Sequence, residues 1–283
     1  LDLAMRLPAS LIFDMEQAET KTLLVEIFTR LFTEPSYRTF PYAGLALQAY
    51  HRETAEDIDR LLAWVRQRGV PITIRLVKGA YWDSDTIRYR QRGWVVPLFE
   101  QKGETDANYE SLTQLLLSQT SLIRPAFGTH NLRTLAYIEA TAESFGLSQE
   151  TWEYQMIFGM AEPFQQAVAQ LGRRLRLYTP VGDLLPGMAY LVRRLLENTS
   201  NESFLRKEYV ESQPLSTLLA PPVLEGLSQK QRSHEAEVQH FHNEPQHDFS
   251  RAESRTAMQN ALVDVRSQLG RQWTPSSGGV ALS

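Results

Sequence analysis

The feature that most constrains the fold of this chain is a regular alternation of short apolar runs with helix-like segments. Six runs have the length and the weak period-two alternation of strands that are covered on both faces. They are LIFDM (11–15), YAGLALQAY (42–50), PITIRLVKG (71–79), IRPAFGT (123–129), YQMIFGM (154–160) and LRLYTPVG (175–182). This order predicts successive βα units and a parallel sheet.

The segments between the runs have helical periodicity and helix boundary signals. In TAEDIDRLLAWVRQRG (54–69), Thr54 is the expected N-cap, acidic residues occupy the first turn and Gly69 marks the end. Further helices are predicted from NYESLTQLLLSQTS (108–121), NLRTLAYIEATAESFG (131–146), PFQQAVAQLGRRL (163–175) and AYLVRRLLENTSNESF (189–204). A doubly wound sheet and a βα barrel both fit this order. No G-x-G-x-x-G follows the first strand, so the usual dinucleotide-binding argument for the former is absent and the barrel is favoured.

The character of the chain changes after residue 212. The segment 214–226 is loop-like, the segment 228–256 is polar and rich in His, Gln and Glu, and an amphipathic helix is predicted over about 255–269. We therefore predict two regions, a βα barrel over 1–212 and a linker or docking arm over 213–283. The histidines of the arm lack compact ligand spacing, so no metal site is expected; they are His234, His240, His242 and His247.

Composition excludes several classes of function. The net charge is -4, without a local excess of Lys and Arg, so nucleic acid is not an expected partner. The sequence contains no cysteine, which excludes disulfides, thiolate metal sites and thiol nucleophiles. No apolar run is long enough to span a bilayer and no secretory signal is visible. A cytoplasmic location is the expectation.

The segment 189–204 carries a group of polar side chains on one helical face. Tyr190, Arg193, Arg194 and Glu197 stand at i, i+3, i+4 and i+7, opposite a face of Leu and Val residues. Spacing alone favours a surface helix with its charged side in water. The alternative is a carboxylate-binding site, because guanidinium groups form bidentate hydrogen bonds with carboxylates. The tyrosine would add an apolar ring surface with a polar hydroxyl at its tip.

The ends of the predicted strands favour the second interpretation. All six strands carry hydrogen-bonding groups at or near their carboxyl ends, where the active sites of βα barrels are built. These residues are Asp14, Gln48, Arg75, Lys78, Thr129, His130, Asn131, Gln155 and Tyr178. Taken singly, His130 or Gln155 is more often a satisfied core polar group. Their convergence at one rim is what a purely structural barrel does not require.

Four motifs in this order resemble the proline dehydrogenase domain of the bifunctional proline utilisation flavoenzymes. They are RLVKGAYWD (75–83), GTHN (128–131), YTPVGD (178–183) and YLVRRLLENTSNESF (190–204). The resemblance implies a distorted, TIM-like βα barrel that holds FAD without a covalent bond. It also implies oxidation of L-proline to Δ1-pyrroline-5-carboxylate, with hydride transfer to flavin N5. Electrons would then pass to a membrane quinone, with peripheral association at the inner face of the membrane.

The same resemblance implies roles for individual residues. Arg193 and Arg194 would bind the proline carboxylate, and Tyr81, Tyr178 and Tyr190 would wall the substrate ring. Asp14 would hydrogen-bond Tyr178, and Glu197 would hold the arginines or the flavin. The remaining matched positions would bind flavin, with Arg75 nearest its reactive edge; they are Gln48, Arg75, Val77, Lys78, Gly79, Trp82, Thr129, His130 and Asn131.

Two departures from the family pattern leave an alternative open. The family barrel has eight strands, whereas about six βα units are found here, and the run 11–15 matches the third strand of the family. Two units, and a lysine that the family places at the substrate, would then be missing. The segment 241–270 resembles the region that leads into an aldehyde dehydrogenase half. The alternative is therefore a truncated, non-catalytic remnant that acts only by ligand binding or by association with another chain.

Overall fold

A computed structural model describes residues 1–7, 9–199, 216, 219–222, 243–271, 276–277 and 280–281. Six strands form one parallel sheet in sequential order. They are β1 (Leu11–Phe13), β2 (Ala43–Gln48), β3 (Ile72–Val77), β4 (Ile123–Gly128), β5 (Glu153–Ile157) and β6 (Leu175–Tyr178). Each predicted run therefore contains a strand, and the prediction of a parallel βα architecture with six units is confirmed.

Helices of the described residues lie between and after the strands, with one more before the first strand and two between the third and the fourth. They are α1 (Asp2–Arg6), α2 (Lys21–Leu31), α3 (Thr54–Arg68), α4 (Trp82–Gln91), α5 (Lys102–Ser118), α6 (Leu132–Ser144), α7 (Glu162–Gln170), α8 (Leu184–Thr199) and α9 (Ala252–Ser267). Short strands β7 (Ser276–Ser277) and β8 (Val280–Ala281) form a separate antiparallel pair. None of the helices that the structure describes is long and apolar enough to cross a membrane.

The two faces of the sheet have different compositions. On β3, Ile72, Ile74 and Leu76 are fully buried beneath the helices, whereas Arg75 and Val77 alternate with them on the opposite, concave face. Strand register places Ala46, Arg75 and Ala126 side by side on that concave face. Polar side chains are therefore carried on the inner surface of an incomplete, curled barrel, while apolar side chains form the outer core.

Local chemistry accounts for the ends of α3. The helix begins at Thr54, so the N-cap is Glu53 and the expectation that Thr54 is the cap is wrong by one residue. The Thr54 hydroxyl instead donates to the backbone oxygen of Gln48 at 2.7 Å and ties the end of β2 to α3. Gly69 ends the helix with a left-handed φ of 78°, as its sequence predicts.

Part of the predicted arm contacts the barrel. The Trp94 indole donates a hydrogen bond to the backbone oxygen of Gln246, and Pro245 lies against Gly93. Asp248 is buried and accepts hydrogen bonds from the backbone and side chain of Ser250.

The helix α9 that follows begins and ends earlier than predicted, at Ala252 and Ser267. Residues 223–242, which include much of the predicted polar stretch, lie outside the described residues, and the division at residue 212 stays a prediction.

Candidate active site

A cavity of about 590 Å³ opens at the carboxyl ends of the strands, on the concave side of the sheet. Its volume falls within the usual range for small-molecule and cofactor sites. The cavity wall includes every described side chain to which the family resemblance assigns a role. These are Asp14, Gln48, Arg75, Val77, Lys78, Gly79, Tyr81, Trp82, Thr129, His130, Asn131, Tyr178, Tyr190 and Arg194. The side chains of Arg193 and Glu197, both on α8, lie outside the described residues.

Arg75 occupies the centre of the concave wall. Its guanidinium forms an ion pair with Asp14, directly after β1, and lies over the Tyr178 ring at 5.7 Å from the ring centre. Burial lowers the pKa of Arg75, an effect that the neighbouring Tyr178 opposes. The Nε–H group of Arg75 is buried and has no hydrogen-bond partner among the described residues. A buried donor of this kind is available to an acceptor on a bound molecule.

The expected hydrogen bond between Asp14 and Tyr178 is not found in the described part of the chain. The carboxylate of Asp14 is taken up by Arg75 instead, and the hydroxyl groups of Tyr178 and Tyr190 share a hydrogen bond. Opposite charge explains the exchange, since a carboxylate pairs more strongly with a guanidinium than with a neutral phenol. Among the described residues, Asp14 is therefore linked to Tyr178 through Arg75.

Arg194 and three tyrosines form one aromatic and cationic cluster. The Arg194 guanidinium lies 5.6 Å from the ring centre of Tyr81 and 5.4 Å from that of Tyr190. Both distances are within the range of cation–π attraction. Burial raises the pKa of the Tyr178 hydroxyl, which therefore stays neutral. The cluster joins the end of β6 to α8 and to the residue that precedes α4.

Lys78 extends the positive wall beyond the end of β3. Its ammonium group contacts Asp106 on α5, and Asp106 also accepts a hydrogen bond from Lys102 at 3.1 Å. Burial lowers the pKa of Lys78, although Asp106 opposes that shift. Sequence reasoning missed Asp106 and Lys102. The sequence feature that points to these two residues is the i, i+4 spacing of opposite charges in the first turns of a helix that follows the RLVKG motif.

The turn from β4 to α6 carries Thr129, His130 and Asn131. Asn131 is the N-cap of α6, because its side-chain oxygen accepts from the Thr134 N–H at 3.0 Å. The Thr129 hydroxyl oxygen accepts from the Asn131 N–H. His130 Nε2 accepts from the Ile157 N–H at 3.2 Å, so in the neutral ring Nδ1 carries the proton. Burial lowers the pKa of His130 to about 4.

Close backbone packing shapes the opposite wall. Gly79 has a φ of 126°, and a Cβ atom there would meet the Tyr50 ring at 2.5 Å. Tyr50 donates its hydroxyl to Asp85 at 3.1 Å and lines the cavity, although no sequence pattern singled it out. The Trp82 indole donates to the backbone oxygen of Phe99 at 2.7 Å, which fixes a partly exposed ring at the rim.

Gln155 is buried and donates to Glu153, and it does not belong to the cavity wall.

Comparison with known proteins identifies the family. The sequence profile of the family described as proline dehydrogenase matches residues 1–207. The bifunctional protein PutA of Escherichia coli (strain K12) is 36% identical over 228 residues, which are 77% of this chain and 17% of that protein. Proline dehydrogenase 2 of Bacillus subtilis (strain 168) is 29% identical over 170 residues, or 60% of this chain and 50% of that protein.

Solved structures agree with this assignment. Proline utilization A from Bdellovibrio bacteriovorus, inactivated by N-propargylglycine, is 42% identical with a TM-score of 0.90, covering 99% of this chain and 29% of that one. The D779W mutant of the Bradyrhizobium japonicum protein is 31% identical with a TM-score of 0.79, covering 94% and 28%. This chain thus spans about a sixth of the length of the PutA relatives that it matches in sequence. Over the matched residues, the chain belongs to the proline dehydrogenase family.

Proposed function

We propose that this protein is the FAD-dependent proline dehydrogenase part of a bifunctional proline utilisation enzyme. The observation that carries the proposal is the single cavity in which Arg75, Arg194 and three tyrosines meet. Family membership supports the same conclusion. The substrate would be L-proline and the product Δ1-pyrroline-5-carboxylate.

The residues of the cavity fit a flavin cofactor. The concave wall offers the buried Nε–H of Arg75 and the Nδ1–H of neutral His130 as hydrogen-bond donors. Lys78 supplies a cation beyond them, which suits the charged phosphates of FAD. Trp82 and Tyr81 supply aromatic rings at the rim. Gln48, Val77, Gly79, Thr129 and Asn131 complete the flavin-binding positions in the proposal.

The substrate would bind against the cluster around Arg194. A guanidinium clasps a carboxylate through two parallel hydrogen bonds, and Arg193 would add a second guanidinium. The rings of Tyr81, Tyr178 and Tyr190 would pack on the apolar carbons of the proline ring. The main contribution of these groups would be to hold the substrate in a fixed orientation relative to the flavin, which makes the reaction effectively unimolecular.

The remaining charges of the site tune the reaction. Tyr178 stays neutral and can hold the amine of the substrate by a hydrogen bond in its uncharged, reactive form. The Arg75 cation would stabilise negative charge that develops next to it, and Asp14 orients Arg75. Glu197 would hold the arginines or the cofactor. When bound, FAD would supply the hydride acceptor at N5 and pass the electrons to a membrane quinone.

The wider setting of the enzyme is part of the same proposal. Residues 1–212 would form the barrel, and 213–283 would lead toward an aldehyde dehydrogenase half. Reaction with a membrane quinone would place a cytoplasmic protein at the inner face of the membrane through peripheral contact. L-proline and the quinone would be its partners.

Spectroscopy of the purified chain with added FAD tests the proposal. Expected is a yellow protein whose flavin absorbance is bleached by L-proline and restored by a soluble quinone. D-proline serves as a matched control, because it carries the same groups in mirror-image arrangement. A colourless protein that FAD cannot restore would contradict the proposal and support a non-catalytic remnant.

A further inference from the structure

His51 is a buried histidine to which no role in the site has been given. It lies in the turn between β2 and α3 and is 1% exposed. Its backbone pairs with Leu98, and the neighbouring Arg52 N–H donates to the backbone oxygen of Pro97 at 3.0 Å. The imidazole packs edge-on against the Tyr50 ring, with 4.7 Å between the ring centres. The position of the imidazole is therefore fixed from both sides.

The imidazole contacts the side-chain amide of Gln48, a residue of the cavity wall. His51 Nε2 lies 3.1 Å from Gln48 Oε1, and Gln48 Nε2 donates to the backbone oxygen of Met15 at 2.9 Å. A rotated amide would place its oxygen against the Met15 carbonyl, where two acceptors repel each other. Only one assignment satisfies both contacts, in which Gln48 Oε1 accepts a proton donated by His51 Nε2.

The second nitrogen of the ring agrees with this assignment. His51 Nδ1 is buried and has no hydrogen-bond partner among the described residues. A proton at Nδ1 would leave a buried donor unsatisfied, and it would leave Nε2 as an acceptor facing another acceptor. Burial, with a smaller effect from the nearby Lys21 ammonium, lowers the pKa of His51 to about 3. The ring is therefore neutral, with its proton at Nε2.

We propose that His51 is a positioning residue that locks the Gln48 amide, and with it the pattern of donors and acceptors on the cavity wall. One N–H and one oxygen lone pair of Gln48 remain for a bound molecule. Rotation of the amide would exchange these two groups. The consequence for FAD rests on the proposed function, whereas the orientation of the amide does not.

Two substitutions separate the two ring nitrogens. The amide nitrogen of glutamine in His51→Gln can replace Nε2, whereas that of asparagine in His51→Asn replaces Nδ1. We expect His51→Gln to retain FAD affinity and the visible flavin spectrum. His51→Asn and His51→Leu should weaken FAD binding roughly three- to tenfold, the effect of one lost hydrogen bond, and shift the flavin absorbance bands. Leu in place of His51 should have no further effect in a Gln48→Leu background.

Nitrogen NMR of the full chain without flavin tests the orientation directly. The expected result is a neutral His51 ring with a protonated Nε2 at pH 6 to 8, and a Gln48 NH₂ signal that shifts in His51→Asn but not in His51→Gln. Thr113→Val is the control for lost stability, since Thr113 is fully buried and donates to the backbone oxygen of Tyr109, in its own helix, at 2.8 Å. The control should leave both readouts unchanged.

Two results would overturn the assignment of His51. One is a proton at Nδ1, and the other is rescue by asparagine but not by glutamine. A wild-type chain that binds no flavin would contradict the proposed function instead. The nitrogen shifts would then decide the His51 proposal by themselves.

Discussion

The guanidinium of Arg75 lies 5.7 Å from the ring centre of Tyr178, although β4 and β5 separate their strands in the sheet. Side chains three strands apart can meet only across a concave surface. The contact therefore links the curl of the sheet to the formation of the cavity. It also brings the group closest to the proposed flavin edge against one wall of the proposed substrate site.

Asp14→Asn tests whether Asp14 acts through Arg75. The Asp14 side chain is 59% exposed, so the ion pair is worth less than about 1 kcal/mol and kcat/KM for L-proline should fall less than about fivefold. The effects of Asp14→Asn and Arg75→Lys should not add, because both disturb one contact. Asp14→Asn and Tyr178→Phe should be additive. Strong coupling between the effects of Asp14→Asn and Tyr178→Phe on kcat/KM would instead indicate a direct hydrogen bond between these two side chains.

Arg194→Lys tests the proposed carboxylate site. Lysine keeps the charge but loses the two-pronged hydrogen bonds and the contacts with the Tyr81 and Tyr190 rings. We expect the KM for L-proline to rise about 30-fold, which corresponds to about 2 kcal/mol. Arg60→Lys on the outer surface of α3 is the matched control and should leave KM unchanged. An unaltered KM in Arg194→Lys would remove Arg194 from substrate binding.

Asn131→Ala separates a capping role from a flavin-binding role. Loss of the cap of α6 should lower the free energy of unfolding by about 1 kcal/mol, measured by urea denaturation without flavin. Asn131→Asp should restore most of that loss, because aspartate caps helices equally well. If both variants bind FAD as the wild type does, Asn131 acts only on the helix, and the proposed contact with flavin is wrong.

Acid should destabilise the folded chain through its buried histidines. The pKa of His51 lies near 3 and that of His130 near 4 in the folded state, both below the ordinary value of 6.5. As the pH falls below 6.5, the unfolded chain therefore binds protons that the folded chain excludes, and stability falls with it. The contribution of His51 alone approaches about 1.4 kcal/mol per pH unit once the pH is well below 6.5. Urea denaturation between pH 7 and 5 should show a shallower dependence in His51→Gln, and equal slopes would contradict this explanation.

The strands and the wall of the cavity could be predicted from sequence because both depend on local pattern. Each apolar run marks one strand, and parallel strands bring their carboxyl ends to the same rim, so Arg75 and Tyr178 converge there without any knowledge of their contacts. The sequence does not predict helix α4, because its residues WDSDTIRYRQ lack an apolar stripe. Its position instead depends on long-range partners, such as the Tyr50 hydroxyl that binds Asp85.

The partners within the site could not be predicted from the same pattern. Arg75 and Tyr178 both lie at the same rim as Asp14, so the sequence does not show which of them Asp14 contacts. The three-dimensional structure shows that Asp14 pairs with the Arg75 guanidinium. The pairing of Lys78 with Asp106 joins residues 28 positions apart in the chain. Sequence spacing carries no signal for such a contact, since the intervening turn and the start of α5 determine it.

The contact between the Trp94 indole and the Gln246 carbonyl limits how this gene can be recombined. A crossover with a divergent relative anywhere between residues 94 and 246 would take the tryptophan from one parent and the segment that positions its backbone acceptor from the other. Hybrids joined downstream of Ser250 would inherit both halves of the contact from a single parent. We therefore expect chimaeric proteins to tolerate a junction after Ser250 better than one between residues 213 and 245.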